Sequence, residues 1–150
     1  MRLALYEPDI PQNTGTLMRL CACLGVALDI IEPCGFLLTD KNLKRAGMDY
    51  LEKLEMTRHA SWRAFQETRP QARRVLLTTK AAVPFTGFAF QPNDILIAGR
   101  ESAGVPEEVH AACPARIIIP MVPGVRSLNV AVAASMVLSE GLRQTQLFPG

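Results

Sequence analysis

The sequence predicts an α/β domain in which a parallel sheet is covered on both faces by helices. Short aliphatic runs alternate with helix-like segments along the chain, and this alternation is typical of parallel sheets. Most of the runs end at Pro, Gly or Asn, residues that bound strands. The length of 150 residues favours a single domain, residues 1–150, which is large enough to bury a core.

The order of the elements follows from these runs and from the residues that begin or end helices. We expect strands at residues 2–6, 27–31, 75–79, 94–98 and 116–119, and a less regular strand at 51–57. Gly25 is suited to end the first helix. The residues predicted to cap or start the helices are Asn13, Asp40, Ser61, Pro106 and Ser127.

The composition excludes several classes of protein. Hydrophobic residues make up 49% of the chain and charged residues 20%, which argues against disorder. No apolar run reaches the roughly 18 residues of a membrane span, and the acidic residue and proline near the N-terminus do not suit a signal peptide. We therefore expect a soluble, cytoplasmic protein. The cysteine spacing fits neither zinc nor a disulfide framework, so we expect no metal and buried thiols at Cys21, Cys23, Cys34 and Cys113.

The net charge of +2 conceals a basic segment. Residues 41–74 contain nine Lys or Arg against four Asp or Glu. Such a segment is typical of a nucleic-acid contact, and equally of a solvated helix face. Charge alone leaves both interpretations open.

Three loops follow predicted strands, and they are the candidate sites because parallel sheets bind ligands beyond the carboxyl ends of their strands. The first loop leads into the helix that begins near Asn13. Arg19 lies about 200° from Leu17 around that helix, opposite its apolar stripe. Arg19 is either a solvated arginine or, with the N–H groups at the helix start, part of a phosphate or ribose site.

The second and third loops differ from the common nucleotide-binding and hydrolase motifs. Gly99 and Gly104 permit a tight bend and a close backbone approach to a ligand, without a dinucleotide fingerprint or a P-loop. Glu101 between them is either a charged turn tip or a carboxylate that binds a ligand or a neighbouring loop. The third loop turns through two prolines before Ser127. No G-x-S-x-G motif surrounds Ser127 or Ser102, so a serine hydrolase is not expected.

Taken in order, the loops resemble the SpoU–TrmD (SPOUT) methyltransferases, and among them the small TrmL-like tRNA (cytidine/uridine-2′-O)-methyltransferases. Each matching segment alone is a weak signal, but their order and separation over nearly the whole chain are specific. The segments are LYEPDIPQNTGTLMRLCA, IIEPCGF, LKRAGMDY, LTTK, AGRESAGVP and IPMVPGVRSLNVAVAAS. The resemblance implies the SPOUT fold with a deep C-terminal trefoil knot, an exception to the rule against threaded chains, and a homodimer.

The resemblance also implies S-adenosylmethionine as the cofactor and methylation of the ribose 2′-oxygen of the wobble nucleotide, a cytidine or uridine of leucine tRNAs. The catalytic residues would be Arg19 and Asn129. The cofactor-binding residues would be Leu77, Gly99, Ile119, Met121, Ser127 and Leu128. The supporting residues would be Asn13, Glu101 and Gly104. The residues that contact the anticodon stem-loop would be Lys41, Lys44, Arg45, Arg58 and Arg63.

The chemistry of Arg19 limits its role. A guanidinium stays protonated, so Arg19 is a poor general base for a ribose hydroxyl. We expect Arg19 to orient a phosphate and to stabilise the developing alkoxide charge, while the proton leaves by another route.

Three positions depart from the family pattern, and two other functions stay open. Ala98 occupies a position where many relatives have an aromatic residue. Arg100 occupies a position where they have a proline or another residue, which leaves the role of Arg100 undecided. Ser139 replaces an aromatic residue of some relatives, which weakens an inherited RNA contact there. The alternative functions are a knotted 2′-O-methyltransferase that acts on rRNA and an RNA-binding module without catalysis.

Overall fold

The strands form one parallel sheet in the computed structural model, which describes residues 1–39, 41 and 51–150. The strands are β1 (Arg2–Tyr6), β2 (Ala27–Ile31), β3 (Met56–His59), β4 (Arg74–Leu77), β5 (Val83–Pro84), β6 (Ile95–Ala98) and β7 (Ala115–Ile118). Within the described residues their order is β3-β2-β1-β6-β4-β7-β5, and every pairing is parallel. The predicted parallel α/β architecture is therefore confirmed.

The helices follow the strands in the predicted alternation. They are α1 (Pro11–Leu24), α2 (Trp62–Thr68), α3 (Glu107–Ala112) and α4 (Val130–Thr145). Gly25 ends α1 in the left-handed conformation, with φ of 65°, as predicted. The Ser61 hydroxyl accepts the Ala64 N–H at 3.1 Å and so caps α2, also as predicted.

Alternate residues of the strands build two apolar cores, one on each face of the sheet. Leu3 and Leu5 of β1 belong to the core that contains residues of α1 and α4. Ala4 and Tyr6 belong to the core that contains Phe65 of α2. Because successive side chains of a strand point to opposite faces, this division confirms that helices cover both faces.

The predicted cap of α1 is wrong. The helix begins at Pro11, and the preceding Ile10 makes no side-chain capping hydrogen bond. Proline suits a first helical position because its missing N–H would have no partner there. Asn13 consequently lies inside α1, where it is buried.

The predicted cap of α4 is also wrong. The helix begins at Val130, and the side-chain oxygen of Asn129 accepts the N–H groups of Ala131 and Val132 at 2.8 and 3.2 Å. Asn129 is therefore the cap, and Ser127 stays in the loop before the helix.

Two further differences concern irregular segments. The predicted strand at 51–57 divides into a 3-10 turn, Leu51–Lys53, and β3, because a backbone hydrogen bond from Leu54 to Leu51 closes the turn. β5 was not predicted, since it has two residues, one of them proline, at the sheet edge. The helix predicted to begin at Asp40 lies outside the described residues.

The cysteines are free thiols in different environments. Cys21 and Cys113 are buried and Cys34 is half-buried, but Cys23 is exposed, so the prediction of burial is wrong for Cys23. Burial raises the pKa of Cys21 to about 12, which keeps this thiol protonated. Among the described residues, no cluster of three His, Cys, Asp or Glu could hold a metal, and no helix is long and apolar enough to cross a membrane.

Asp29 is a fully buried carboxylate that ties β2 to its neighbours. Arg2 Nε of β1 donates to Asp29 Oδ2 at 2.8 Å, and His59 Nε2 of β3 lies 2.8 Å from Oδ1. Arg69 Nη2, at the end of α2, donates to Oδ1 at 3.1 Å. Burial alone would raise the pKa of Asp29, but the hydrogen bonds from Arg2, His59 and Arg69 outweigh it and hold the pKa below its ordinary value.

We predict that Asp29→Asn lowers the free energy of unfolding at pH 7 by about 3 kcal/mol, because Arg2 and Arg69 lose their buried counter-charge. The folded pKa lies below the unfolded value of about 3.9, so this stabilisation is present above pH 3.9 and is lost as the pH falls through the folded pKa. Urea unfolding at pH 7 and at acid pH measures the difference. Glu67→Gln, which removes an exposed ion pair with Arg63 on α2, is the control and should change little. Equal stability of Asp29→Asn and wild type at pH 7 would contradict this role.

Candidate active site

A cavity of about 450 Å³ opens at the carboxyl ends of β4, β6 and β7. Ligands of parallel sheets bind at this edge, and small-molecule sites have volumes of about 300–1,000 Å³. The first turn of α1 and the start of α4 complete the wall. The described residues that line the cavity are Ile10, Asn13, Leu76, Leu77, Thr78, Thr79, Ala98, Gly99, Arg100, Glu101, Gly104, Val105, Ile118, Ile119, Met121, Ser127, Leu128, Asn129, Val130 and Ala133.

The loop after β6 is the tight bend that the glycines predict. Arg100 and Gly104 exchange two backbone hydrogen bonds, of 3.0 and 2.8 Å. Gly104 has φ of 65°, a conformation that favours glycine. A Cβ atom on Gly99 would lie 2.9 Å from the Gly104 backbone, so the two glycine backbones pack without room for a side chain. The bend therefore presents peptide groups to the cavity.

Hydrogen bonds between three side chains connect the three loops. Asn129 Nδ2 donates to Asn13 Oδ1 at 3.0 Å, and Asn13 Nδ2 donates to Glu101 Oε1 at 3.5 Å. Glu101 Oε2 accepts the backbone N–H of Asp9 at 2.9 Å. We call Asn13, Glu101 and Asn129 the amide relay. It joins the loop after β1, the loop after β6 and the capped start of α4.

The two carboxyl groups beside the relay differ in their affinity for a proton. Burial and a hydrogen bond with Asp9 raise the pKa of Glu101. Hydrogen bonds with Glu101 and Ser102 lower the pKa of Asp9 to about 2. Glu101 is thus the member of the pair that binds a proton first as the pH falls.

The remaining walls combine apolar surfaces with hydroxyl-bearing residues. Leu77 lies at the end of β4, and the buried Ile119 follows β7. The loop after β7 turns at Gly124, with φ of 89°, and then places Ser127 and Leu128 at the cavity. Apolar walls with several polar groups suit a ligand that combines an apolar ring with polar groups.

Of the eleven residues predicted for catalysis, cofactor binding or support, the structure brings ten together at the cavity, and their functional roles stay predictions. The residues that line the cavity as predicted are Leu77, Gly99, Ile119, Met121, Ser127, Leu128, Asn13, Glu101, Gly104 and Asn129. Arg19 does not belong to the described lining. It is exposed on α1, about a turn and a half beyond Asn13.

The predicted RNA contacts lie away from the cavity wall, as far as the structure describes them. Arg58 Nη2 lies 2.6 Å from Glu32 Oε1, and Arg63 Nε lies 3.1 Å from Glu67 Oε1. Both cations therefore already have carboxylate partners. Lys41 is exposed. The predicted contacts outside the described residues are Lys44 and Arg45.

Three polar residues at or beside the cavity were not predicted. Thr78 and Thr79 directly follow β4 and line the cavity. Asp9 follows β1 and accepts a hydrogen bond from the Ser102 hydroxyl. All three come shortly after strand ends, so the rule that places ligands at the carboxyl edge could have identified them.

Comparison with known proteins assigns the chain to a family. The model of the SpoU rRNA Methylase family matches residues 1–139. The chain belongs to the SpoU rRNA Methylase family. The match spans the three loops of the cavity and most of α4, so it confirms the family that the sequence motifs predict.

Relatives within the SpoU rRNA Methylase family align over nearly their whole length. A tRNA (cytidine(34)-2′-O)-methyltransferase of Beijerinckia indica subsp. indica is 60% identical over 144 residues, which are 95% of this chain and 90% of that protein. One of Escherichia coli (strain K12) is 45% identical over 152 residues, covering 100% and 96%. A solved structure described as giving structural insights into the 2-OH methylation of C/U34 on tRNA has a TM-score of 0.89 and 42% identity, covering 95% and 94%.

We predict that Gly99→Ala destabilises this SpoU rRNA Methylase family member by about 1–3 kcal/mol, because the added methyl group overlaps the Gly104 backbone. Gly87→Ala is the matched control, since a Cβ there meets nothing within 4 Å. Its effect should stay within about 0.5 kcal/mol. Urea unfolding of the two variants makes the comparison. If Gly99→Ala were as stable as Gly87→Ala, the close packing of the two glycines would be wrong.

Proposed function

We propose that the chain methylates the ribose 2′-oxygen of nucleotide 34 of tRNA, a cytidine or uridine, with S-adenosylmethionine as the methyl donor. The observation that carries this proposal is the convergence of three loops on one cavity, in a chain that is 60% identical to a tRNA (cytidine(34)-2′-O)-methyltransferase. Leucine tRNAs are the proposed substrates, as the sequence resemblance implies.

The residues of the cavity fit S-adenosylmethionine. Leu77, Ile119 and Leu128 offer apolar surface for a flat heteroaromatic ring, and the bend at Gly99 brings peptide groups close. Ser127 and Met121 lie on the same wall. When bound, S-adenosylmethionine supplies a methyl group on a sulfonium, which is a good leaving group.

The chain's own residues position the ribose and stabilise charge. A ribose hydroxyl is weakly acidic, so holding it in line and stabilising the developing alkoxide account for most of the acceleration. We assign Arg19 to this stabilisation and to the orientation of a phosphate, since its guanidinium offers a fork of donors. Asn129 lines the cavity with its amide fixed by Asn13, which supports a role in orienting the ribose.

An exposed apolar surface beside the cavity supports a homodimer. Its residues are between 40% and 71% exposed and are Ile10, Val122, Val125, Leu128, Val132 and Met136. Ile10 and Leu128 both line the cavity, and Val132 and Met136 lie about one helical turn apart on α4. Exposed apolar residues grouped in this way are typical of protein–protein contacts. Since Arg19 lies outside the described wall of its own cavity, we propose that Arg19 of one copy completes the site of the other.

The proposed RNA contact extends from the cavity to the basic segment at 41–74. In a dimer, the anticodon stem-loop would contact both copies, with phosphates near Lys41, Lys44, Arg45, Arg58 and Arg63. Arg58 and Arg63 would exchange their carboxylate partners for phosphates. The side chains of Arg58 and Arg63 are 47% and 88% exposed, so breaking these ion pairs costs little free energy. The cytoplasm, where tRNA is modified, is the proposed location.

We also propose that the chain forms a single domain, 1–150, with the deep trefoil knot of the SPOUT fold. Two observations support threading of the C-terminal segment. The loop after β7 lines the same cavity as the loop after β6. α4 then returns to pack on α1 and β6.

Labelled methyl transfer tests the function. The protein is incubated with methyl-labelled S-adenosylmethionine and total tRNA or rRNA from a strain that lacks the gene, and nuclease digestion maps the label. We expect label at the 2′-oxygen of nucleotide 34 of tRNA. Label confined to rRNA would favour an rRNA methyltransferase. Cofactor binding without transfer to either RNA would favour a non-catalytic RNA-binding module, and both outcomes would contradict the proposal.

We predict that Arg19→Lys lowers the single-turnover rate with saturating cofactor and tRNA by on the order of 100-fold, because lysine lacks the forked donors that stabilise the alkoxide. Arg143→Lys, which alters an exposed ion pair with Glu140 on α4, is the control and should retain the wild-type rate. A near-normal rate for Arg19→Lys would remove Arg19 from the chemistry.

A further inference from the structure

Arg100 lines the cavity, but its guanidinium is directed at the carboxylates of the loop after β1. Arg100 Nε lies 3.4 Å from Asp9 Oδ2, and Nη1 lies 3.9 Å from Glu7 Oε1. The three side chains are only 17–30% exposed, so solvent screens these contacts less than it would on an open surface. One cation therefore bridges two carboxylates of the neighbouring loop.

The loop that Arg100 contacts is held in an unfavourable conformation. Glu7 has φ of 42°, in the left-handed region that residues other than glycine rarely enter. Such a conformation persists only where the surrounding structure fixes it. The Glu7 N–H donates to the Ile31 carbonyl at 2.8 Å, and the Gly35 N–H donates to the Pro8 carbonyl at 2.9 Å.

The same loop is tightly packed from the other side. A Cβ atom on Gly35 would lie 2.5 Å from Asp9 Cβ and 3.4 Å from Arg100 Nη2. The loop after β2 thus closes over Asp9 and Arg100 together. Any shift of Asp9 would disturb three loops, because its N–H also binds Glu101 of the amide relay.

We propose that Arg100 is a positioning residue that holds the loop after β1 against the loop after β6, and thereby fixes the shape of the cofactor cavity. This inference rests on the proposed function, since S-adenosylmethionine is the ligand that reports the shape of the cavity. Arg100 acts through Asp9 and Glu7, and not by binding an RNA phosphate itself.

Charge explains why a cation is needed here. Three carboxyl groups, those of Glu7, Asp9 and Glu101, lie close together in a half-buried region beside Arg100. Like charges at such short range repel one another. Arg100 contributes to the lowered pKa of Asp9, after the hydrogen bonds of Asp9 with Glu101 and Ser102. Different nitrogens of the planar guanidinium form the ion pairs with Asp9 and Glu7, which the single ammonium of a lysine does not reach as well.

A double-mutant cycle separates this role from a direct RNA contact. Arg100→Met, Asp9→Asn and the double variant are compared with wild type by calorimetric titration of S-adenosylmethionine and by the KM for tRNA. Arg100→Lys, which retains the charge, is a second variant in case Arg100→Met folds poorly. Arg143→Met, the loss of an exposed ion pair on α4, is the control.

We expect Arg100→Met to weaken cofactor binding by on the order of tenfold, because a small displacement of site residues weakens their contacts with the ligand. The cofactor affinity of Arg100→Lys should lie between those of Arg100→Met and wild type. Removing Arg100 should cost less once Asp9 is neutral, with a coupling of about threefold or more. The control should bind normally.

Three results would overturn the inference while leaving the proposed function intact. They are unchanged cofactor affinity with a raised KM for tRNA, additive effects in the double variant, and equal affinities of Arg100→Lys and Arg100→Met. If the wild type itself bound no S-adenosylmethionine, the proposed function would fail instead.

Discussion

The amide relay is the contact on which the site depends. Glu101 and Asn129 lie 88 and 116 residues from Asn13 in sequence, yet the Asn13 side chain hydrogen-bonds to both. In a protein interior such bonds reinforce one another, and breaking one leaves a partly buried partner unsatisfied. The three loops therefore dock as a unit. Residues of all three loops line the cavity.

The parallel sheet positions the loops that carry the amide relay. Leu5 of β1 and Leu77 of β4 both pair with Ala98 of β6, and Leu77 also pairs with Ile117 of β7. The four strands thus end at one level, and their loops begin side by side. Elsewhere in the sheet, the contacts of the buried Asp29 with Arg2 and His59 join β1, β2 and β3. Loops that carry chemistry are in this way placed on a rigid support.

Much of the fold could be predicted because strand signals are local. Aliphatic runs located the five main strands to within two residues, and the rule about carboxyl ends, with the family motifs, identified most of the cavity wall. The predicted helix caps at Asn13 and Ser127 were wrong because Asn and Ser side chains can also form hydrogen bonds away from a helix start. The Asn13 amide binds Glu101 and Asn129, and Asn129, two residues beyond Ser127, caps α4.

Contacts between distant segments could not be predicted in the same way. Nothing in the local sequence links Arg100 to Glu7 and Asp9, or Arg58 to Glu32, because such pairs depend on how loops meet across the sheet. Arg19 shows the same limit. Helical periodicity predicted its exposure correctly, but no local signal shows whether Arg19 serves its own cavity or, as we propose, that of a second copy.

Amide hydrogen exchange of the ligand-free protein tests the relay most directly. Asn13→Leu removes both links at Asn13 and leaves the side-chain cap of Asn129 in place. Thr14→Val is the matched control on α1, since the buried Thr14 hydroxyl has no hydrogen-bond partner among the described residues. We predict exchange of the Asp9 and Ala131 amides that is faster by on the order of tenfold in Asn13→Leu, and unchanged in Thr14→Val. Wild-type protection of both amides in Asn13→Leu would contradict a relay that holds the loops together.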